Sequence, residues 1–223
     1  MINSEFKLAN DVGSGGGQDV FALEVLGTGP QTYVDIGCRQ PVMHNNSFLM
    51  HQLGWSGICL DIIDFEEMYR SQRPGCEFYQ ADCIRFDFLD CFKENFKTKV
   101  IDYLSLDVEG NGDRFEVLKN VMSTGYNFRV ITVEHDNNCG YTETEMIPQR
   151  KLLRSLGYEL VVECDIIEDF WVHPDFVKKE KYEKFFKKWR WPDDNKDFFN
   201  YRWYKEIGFD YERYYRWHPD FWK

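Results

Sequence analysis

Acidic side chains follow five apolar segments of this sequence, at the points where predicted strands end. They are Asp35, Asp61, Asp82, the pair Asp107 and Glu109, and Glu134, which His135 follows. Taken singly, an aspartate in such a position more often caps the next helix. Ligands of open α/β sheets, however, bind at the carboxyl ends of the strands, so these side chains would meet along one rim. The spacing therefore predicts one polar ligand site.

The first half of this rim has the residue types of a nucleotide-cofactor site. Gly37 ends the run Tyr33-Val34-Asp35-Ile36-Gly37 and would let the backbone approach a ligand closely. Asp61 stands where an acid accepts hydrogen bonds from ribose hydroxyls, and Asp82 stands where a side chain reaches an adenine amino group. Acids also suit a cationic sulfonium better than an anionic pyrophosphate, which favours S-adenosylmethionine over a dinucleotide.

The second half of the rim suggests where a reaction would occur. Asp107 and Glu109 leave one predicted strand, and Glu134 and His135 leave its neighbour. Two acids and an imidazole suit a divalent cation such as Mg²⁺ or Mn²⁺, so Asp107, Glu134 and His135 are the candidate metal ligands. Alternatively, His135 is a general base, or Glu134 and His135 only cap and hydrogen-bond. The residue types leave all three interpretations open.

Strands and helices alternate along the chain, and this order would place the carboxyl ends of the strands along one rim. Apolar runs and Gly stops predict seven strands, at 32–36, 56–60, 77–80, 101–106, 129–133, 159–164 and 166–172. Helical spacing predicts six helices, at 18–26, 46–53, 65–71, 88–96, 114–122 and 144–156. Such alternation favours an α/β, Rossmann-like three-layer sandwich whose seven-stranded sheet is mostly parallel. The two consecutive strands at the end predict an antiparallel last strand.

Composition narrows the function classes and the cellular location. The chain has 223 residues, a net charge of −11 and a pI near 5.0, which disfavours nucleic acid and anionic membranes as partners. No secretory signal and no membrane-spanning stretch is recognisable, so a cytoplasmic protein is expected. Seven cysteines without a Cys-x-x-Cys pair fit free thiols in a reducing compartment, not a zinc site.

The composition changes after residue 173. We expect residues 1–173 to form the cofactor-binding domain and residues 174–223 to form an extension, in which Lys178 to Lys188 predicts a charged helix. Aromatic residues crowd the end of the extension, from Trp189 to Trp222. Rings at this density pack on the domain, on a second subunit of a homo-oligomer, or around a ligand. At the other end, the glycines from Gly13 to Gly17 lack a P-loop ending and suggest a lead-in or a lid.

Several segments, in order, resemble the FkbM-type S-adenosylmethionine-dependent methyltransferases. They are Gln18-Asp19-Val20-Phe21, the run 33–37, Asn46-Ser47-Phe48-Leu49, Leu53-Gly54-Trp55-Ser56-Gly57-Ile58-Cys59, Asp102 to Gly110 and Ile131 to His135. The strongest are Gly-Trp-x-Gly followed by Asp-Val-Glu-Gly. The resemblance covers roughly residues 14–173. It departs after Gly37, where Cys38-Arg39 replaces small residues, and at Asp61-Ile62, where the family has Glu-Pro.

The resemblance implies O-methylation of a hydroxyl in a sugar or glycan. It also implies a divalent metal at the ends of the fourth and fifth strands, where Asp107, Glu134 and His135 stand. The residues expected to bind the cofactor are Gln18, Asp35, Gly37, Asn46, Ser47, Asp61, Ile62, Asp82, Cys83 and Asp107. The catalytic residues expected are Asp107, Glu109 and His135.

Three other functions stay open at this point. The first is methyl transfer to another acceptor, namely RNA, protein or a small molecule, although the acidic charge disfavours RNA. The second is a non-catalytic binding module that has kept the fold. The third is a nucleotide-sugar or NAD-binding enzyme built on a similar sheet.

Overall fold

A single mixed sheet organises the chain. The computed structural model describes residues 17–110, 113–165 and 167–189. Eight strands form the sheet: β1 Thr32–Ile36, β2 Ser56–Asp61, β3 Glu77–Gln80, β4 Val100–Leu106, β5 Asn127–Glu134, β6 Glu159–Cys164, β7 Glu168–Val172 and β8 Lys187–Trp189. Their order across the sheet is β3-β2-β1-β4-β5-β7-β6-β8.

The pairing confirms the predicted fold class. Strands β1 to β5 pair in parallel, whereas β7 runs antiparallel to both β5 and β6. The seven predicted strands are therefore present in a mostly parallel, Rossmann-like sheet whose seventh strand is antiparallel. An eighth short strand, β8, pairs in parallel with β6 at the edge.

Helices connect the parallel strands and cover both faces of the sheet. They are α1 Gln18–Leu26, α2 Phe48–Gln52, α3 Glu66–Gln72, α4 Phe88–Asn95, α5 Asp113–Ser123 and α6 Ile147–Ser155. One turn of π-helix, Thr142–Met146, leads directly into α6. Each predicted helix is present, with ends that differ by a few residues, as expected for frayed termini.

Each face of the sheet has its own apolar core. On one face, Val20 and Phe21 of α1 pack with Tyr33 of β1, and all three are fully buried. On the other face, Phe92 of α4 and Val117 of α5 pack against the alternate residues of the same strands. Successive side chains of a strand point to opposite faces. The two cores fix which face each strand residue takes, and so they fix the direction of the side chains at the strand ends, where the cavity opens.

The described part of the extension packs on the domain. Two short 3₁₀ turns, Lys179–Lys181 and Glu183–Phe185, precede β8, so the charged helix predicted over Lys178 to Lys188 is wrong. Burial of two aromatic rings outweighs the helix propensity of the lysines: Tyr182 and Phe185 are both 1% exposed. The aromatic residues after Trp189 and the glycines before Gly17 lie outside the described residues. Within the described residues, no helix is long and apolar enough to cross a membrane.

Candidate active site

A cavity of about 610 Å³ opens at the carboxyl ends of the parallel strands. Ten predicted site residues line it: Gln18, Gly37, Asn46, Asp61, Ile62, Asp82, Cys83, Asp107, Glu109 and Glu134. Nine further residues complete the wall: Arg39, His44, Leu60, Ile63, Ile84, Val108, Asp113, Ile167 and Glu168. The rim expected from the strand ends is therefore one continuous site.

Apolar side chains form the wall next to β2 and β3. Ile62, Ile63 and Ile84 are 69%, 57% and 38% exposed, although isoleucine is usually buried. Asp82 and Cys83 line the same part of the cavity. Exposed branched side chains beside an acid form a slot suited to a flat, mostly apolar group that carries an amino donor.

Asp61 connects this apolar wall to the turn after β1. Its two carboxylate oxygens accept hydrogen bonds from the backbone N–H of Arg39, at 2.8 Å, and of Ile63, at 2.9 Å. Each oxygen has a further lone pair, and the side chain lines the cavity. Asp61 thus both holds the loops in place and can accept hydroxyl donors from a ligand.

Gly37 is required by the neighbouring strand. Its φ is +78°, and an ideal Cβ built there would lie 1.8 Å from the carbonyl oxygen of Asp107. The backbone of Asp107 is held in place by a 2.9 Å hydrogen bond from its N–H to the carbonyl of Ile36. The close approach predicted for Gly37 is therefore an approach to the end of β4, at the wall of the cavity.

Three non-glycine residues with a positive φ lie at or beside this cavity. Among the described residues, only Arg39, His44 and Asp136 combine a side chain with a positive φ, at 52°, 50° and 45°. Arg39 and His44 line the cavity, and the Asp136 carboxylate accepts a 2.6 Å hydrogen bond from Arg114. Such conformations cost of order 1–3 kcal/mol each and are characteristic of functional loops.

Three carboxyl groups stand in a row on adjacent strands. Leu106 pairs with Val133 in the β4–β5 register, and Asp107 and Glu134 follow them directly. Glu134 is the register partner of Glu168 across the β5–β7 pair. All three acids line the cavity. Like charges opposite each other destabilise a sheet, so the fold accepts an electrostatic cost at this point.

Arg114 of α5 compensates part of that cost. Its guanidinium is 1% exposed and donates to Glu134 Oε2 at 3.0 Å, to Asp136 and to the carbonyl of Gly110 at 2.9 Å. Even so, burial, and next the charge and hydrogen bond of Asp107, raise the pKa of Glu134 far above its usual range. The shift favours the protonated form of Glu134, in which it can donate a hydrogen bond to the Asp107 carboxylate.

Glu168 is the member of the row that sequence reasoning missed. It is 7% exposed, Gln18 of α1 donates to its Oε2, and its Oε1 has no hydrogen-bond partner among the described residues. Burial, and next the charge of Asp107, raise its pKa well above the usual value. One signal was present in the sequence: an antiparallel strand begins at the edge where its parallel neighbours end, so the first residue of β7 reaches the rim.

His135, predicted as a catalytic residue and metal ligand, does not line the cavity. The ring is fully buried; Nδ1 accepts a hydrogen bond from the Asn137 N–H at 3.3 Å, and Nε2 lies 2.9 Å from the Cys164 carbonyl. β5 ends at Glu134, and His135 begins the loop that follows, where its ring is enclosed beside the end of β6. Both ring nitrogens are thus engaged away from the site.

The predicted metal site is not formed by these residues. Among the described residues, no group of three or more His, Cys, Asp or Glu side chains is arranged to hold a metal ion, and the set Asp107, Glu134 and His135 is no exception. His135 faces away, and Glu134 is bonded to Arg114. The donor set therefore does not fit the metal that the family resemblance implied.

Asp35 and Ser47 lie beneath the cavity and do not line it. Asp35 is 1% exposed, and its carboxyl accepts a 2.6 Å hydrogen bond from Ser47 Oγ. Burial, and next the Cys59 thiol, raise the pKa of Asp35 to about 8. Both residues support the turn after β1, whereas their neighbour Asn46 reaches the cavity and donates to Ser105 at 2.9 Å.

Comparisons with known proteins add little beyond the fold. No protein-family model matches the chain, and no curated protein matches it. A solved structure with a similar fold is the N-methyltransferase NodS from Bradyrhizobium japonicum WM9, which is 10% identical with a TM-score of 0.45, over 78% of this chain and 99% of that chain.

A second similar structure is the 1,6-didemethyltoxoflavin-N1-methyltransferase of Burkholderia thailandensis, with bound 1,6-didemethyltoxoflavin and S-adenosylhomocysteine. It is 11% identical with a TM-score of 0.45, over 69% of this chain and 74% of that chain. An uncharacterised protein from Listeria monocytogenes serotype 4b is also 11% identical, with a TM-score of 0.44, over 92% of this chain and 82% of that chain. Likeness at this level says nothing about the reaction of this chain.

Proposed function

We propose that this protein is an S-adenosylmethionine-dependent O-methyltransferase that acts on a hydroxyl of a sugar or glycan. One observation carries the proposal: Asp61 and the apolar wall of Ile62 and Ile84 share a single cavity with the acidic row that starts at Asp107. The order of the sequence segments, which resembles the FkbM type, supports both the cofactor and the sugar acceptor.

In this proposal each part of the cavity would hold one part of the cofactor. The slot beside Ile62 and Ile84 would take the adenine, with Asp82 accepting from its amino group. Asp61 would accept from the ribose hydroxyls, and Gln18 with Gly37 borders the region left for the methionine. When bound, S-adenosylmethionine supplies a methyl group on a sulfonium, and the acids of the wall favour that positive charge.

The acidic row is suited to removing a proton from the acceptor. Asp107 would accept the proton of the attacking hydroxyl, while Glu134, whose raised pKa favours its protonated form, would donate a hydrogen bond to the Asp107 carboxylate. A positioned base contributes roughly 10²–10⁴-fold to a rate, and alignment of the reacting groups supplies about 7–11 kcal/mol. In this mechanism the residues of this chain would orient the acceptor and take its proton.

Calorimetry with S-adenosylhomocysteine tests the cofactor. We expect the wild type to bind it, and Asp61→Ala to bind it at least about tenfold more weakly, because hydrogen bonds to a charged group are worth about 1.5–3 kcal/mol. Asp61→Asn, which keeps one acceptor oxygen, should lie between them. Asp64→Asn is the matched control: it is exposed, three residues away, and does not line the cavity. Absence of binding by the wild type would refute the proposal.

A methyl-transfer screen tests the acceptor. The protein is incubated with labelled S-adenosylmethionine and a panel of glycans, each with and without EDTA. We expect the methyl group to appear on a sugar oxygen, located by mass spectrometry of the product. Transfer only to a nitrogen, or only to RNA or protein, would replace the sugar acceptor while keeping the cofactor.

A further inference from the structure

We propose that Glu168 binds a protonated amine of the acceptor, so that the substrate is an amino sugar or a similar hydroxyl compound that carries an ammonium group. This inference rests on the proposed function, because it concerns the acceptor side of the same cavity. Nothing in the sequence pattern assigns a role to Glu168.

Glu168 is an acid whose second oxygen has been left unsatisfied by the protein. Its side chain is buried at the wall of the cavity, and Gln18 donates to Oε2 only. Oε1 has no hydrogen-bond partner among the described residues. An unsatisfied buried acceptor costs about 1–3 kcal/mol. Oε1 is enclosed, but Glu168 lines the cavity, so a turn of its side chain would bring Oε1 to a donor on a ligand bound there.

No protein cation among those described compensates Glu168. Its chain neighbour Asp169 is held by Arg150, whose Nε and Nη2 donate at 2.6 and 2.8 Å. Arg114 is bonded to Glu134 and Asp136, and Arg39 pairs at 3.9 Å with Glu109. An arginine of the fold thus neutralises Asp169, the next residue in the chain, and another neutralises Glu134, the opposite residue in the sheet. Glu168 has no such arginine within the described part of the chain and can take a cation from a ligand.

The charge of the cavity favours the same ligand. Seven acids line it, against Arg39 and His44 as the only basic residues of the described wall. S-adenosylmethionine brings one net positive charge, so acids remain in excess even if Glu134 and Glu168 hold protons. A cleft lined by one sign of charge attracts the opposite sign. A cationic acceptor is therefore favoured over a neutral or anionic one.

An ammonium group would also stabilise the ionised form of Glu168. Burial, and next the charge of Asp107, raise the pKa of this carboxyl well above its usual value, so the protein by itself does not stabilise its ionised form. A bound ammonium would let Glu168 ionise and would donate to Oε1, and a charge-assisted hydrogen bond is about twice as strong as a neutral one. The amine serves for recognition, while the acceptor hydroxyl lies by Asp107 and Glu134.

Two pairs of methyl glycosides test the inference. They are methyl glucosaminide with methyl glucoside, and methyl galactosaminide with methyl galactoside, and their affinities for the protein saturated with S-adenosylhomocysteine are measured by NMR titration. We expect the amino member of at least one pair to bind about tenfold more tightly than its neutral partner. Equal affinities within both pairs, or no binding of either amino sugar, would overturn the inference.

Variants assign the effect to Glu168. Glu168→Gln keeps the shape and removes the charge, so it should abolish the amine preference, whereas Glu168→Asp should keep part of it. Glu116→Gln, the same change on the exposed face of α5, is the matched control and should keep the full preference. Thermal melts verify that each variant is folded.

The cofactor is titrated separately, so that the two proposals fail in different ways. If S-adenosylhomocysteine does not bind the wild type, the proposed function fails first. If it binds the wild type but binds Glu168→Gln more than about tenfold more weakly, Glu168 belongs to the cofactor site and the amine assignment is wrong. Unchanged cofactor affinity with lost amine preference supports it.

Discussion

The backbone of Gly37 lies directly against the backbone of Asp107, with room for no side chain between them. A β-carbon at Gly37 would come within 1.8 Å of the Asp107 carbonyl oxygen and 2.6 Å of its carbonyl carbon. This contact joins the turn after β1 to the end of β4, the two places from which the proposed cofactor and acceptor sites start. The position of Asp107 therefore depends on a residue 70 positions earlier in the chain.

Gly37→Ala should lower the free energy of unfolding by about 3 kcal/mol or more, because it adds a backbone clash to the strain of a positive φ. Gly54→Ala is the matched control. Its φ is +83°, but nothing lies within 4 Å of an added Cβ, so only about 1–2 kcal/mol should be lost. Urea denaturation measures both values, and equal losses would show that the contact with Asp107 is not tight.

Asp107→Asn and Glu134→Gln should reduce methyl transfer by roughly 10²-fold or more, since each removes a group from the proposed proton-accepting pair. Binding of S-adenosylhomocysteine should change much less, because the adenine and ribose contacts are elsewhere in the cavity. Turnover is followed with the glycan found in the screen. Full turnover in both variants would place the chemistry outside the acidic row.

His135→Ala should act on stability and not on chemistry. The variant leaves the Asn137 N–H without its partner, removes the ring from the Cys164 carbonyl, which Arg150 still contacts, and opens a buried space, which together cost about 2 kcal/mol or more. The folded fraction should keep its kcat/KM, measured at a temperature well below the lowered Tm. A loss of turnover with unchanged stability would show that His135 takes part in catalysis.

Activity should persist in excess EDTA, because the described residues do not group three ligands around a metal ion. The comparison requires the same protein sample before and after dialysis against the chelator. Loss of turnover on chelation, with recovery on adding Mg²⁺ or Mn²⁺, would contradict this expectation.

Stability should fall as the pH rises from 5 to 8, and Asp35 accounts for part of the slope. Its folded pKa of about 8 lies above the usual aspartate value of 3.8, so the folded state retains a proton that the unfolded chain releases. This contribution is complete below the unfolded pKa and is lost as the pH passes through the folded pKa. One such proton gives a slope of about 1.4 kcal/mol per pH unit.

Asp35→Asn should remove that part of the slope while retaining an acceptor for Ser47 Oγ. Unfolding free energies at pH 5, 6, 7 and 8 are compared with those of the wild type and of the exposed control Asp64→Asn. A variant slope equal to that of the wild type would show that Asp35 is ionised in the fold.

The alternation of apolar strands and amphipathic helices determined the sheet, its parallel order and the rim at which the acids meet. Both periodicities are local properties, so they are visible in the chain itself. The same local logic correctly brought Asp61, Asp82, Asp107 and Glu134 to one cavity. It also indicated where to look for a site, since strand ends in a parallel sheet share an edge.

Only the tertiary structure decided which neighbours of those acids belong to the site. His135 is adjacent to Glu134 in sequence but does not line the cavity, because its ring is buried against the Cys164 carbonyl. Glu168 is 34 positions away from Glu134 but stands opposite it, because β7 enters the sheet antiparallel between β5 and β6. Register and facing direction arise from pairing between distant strands and from the packing of Gln18 and Arg114 on them. These are long-range contacts, which no local pattern in the sequence encodes.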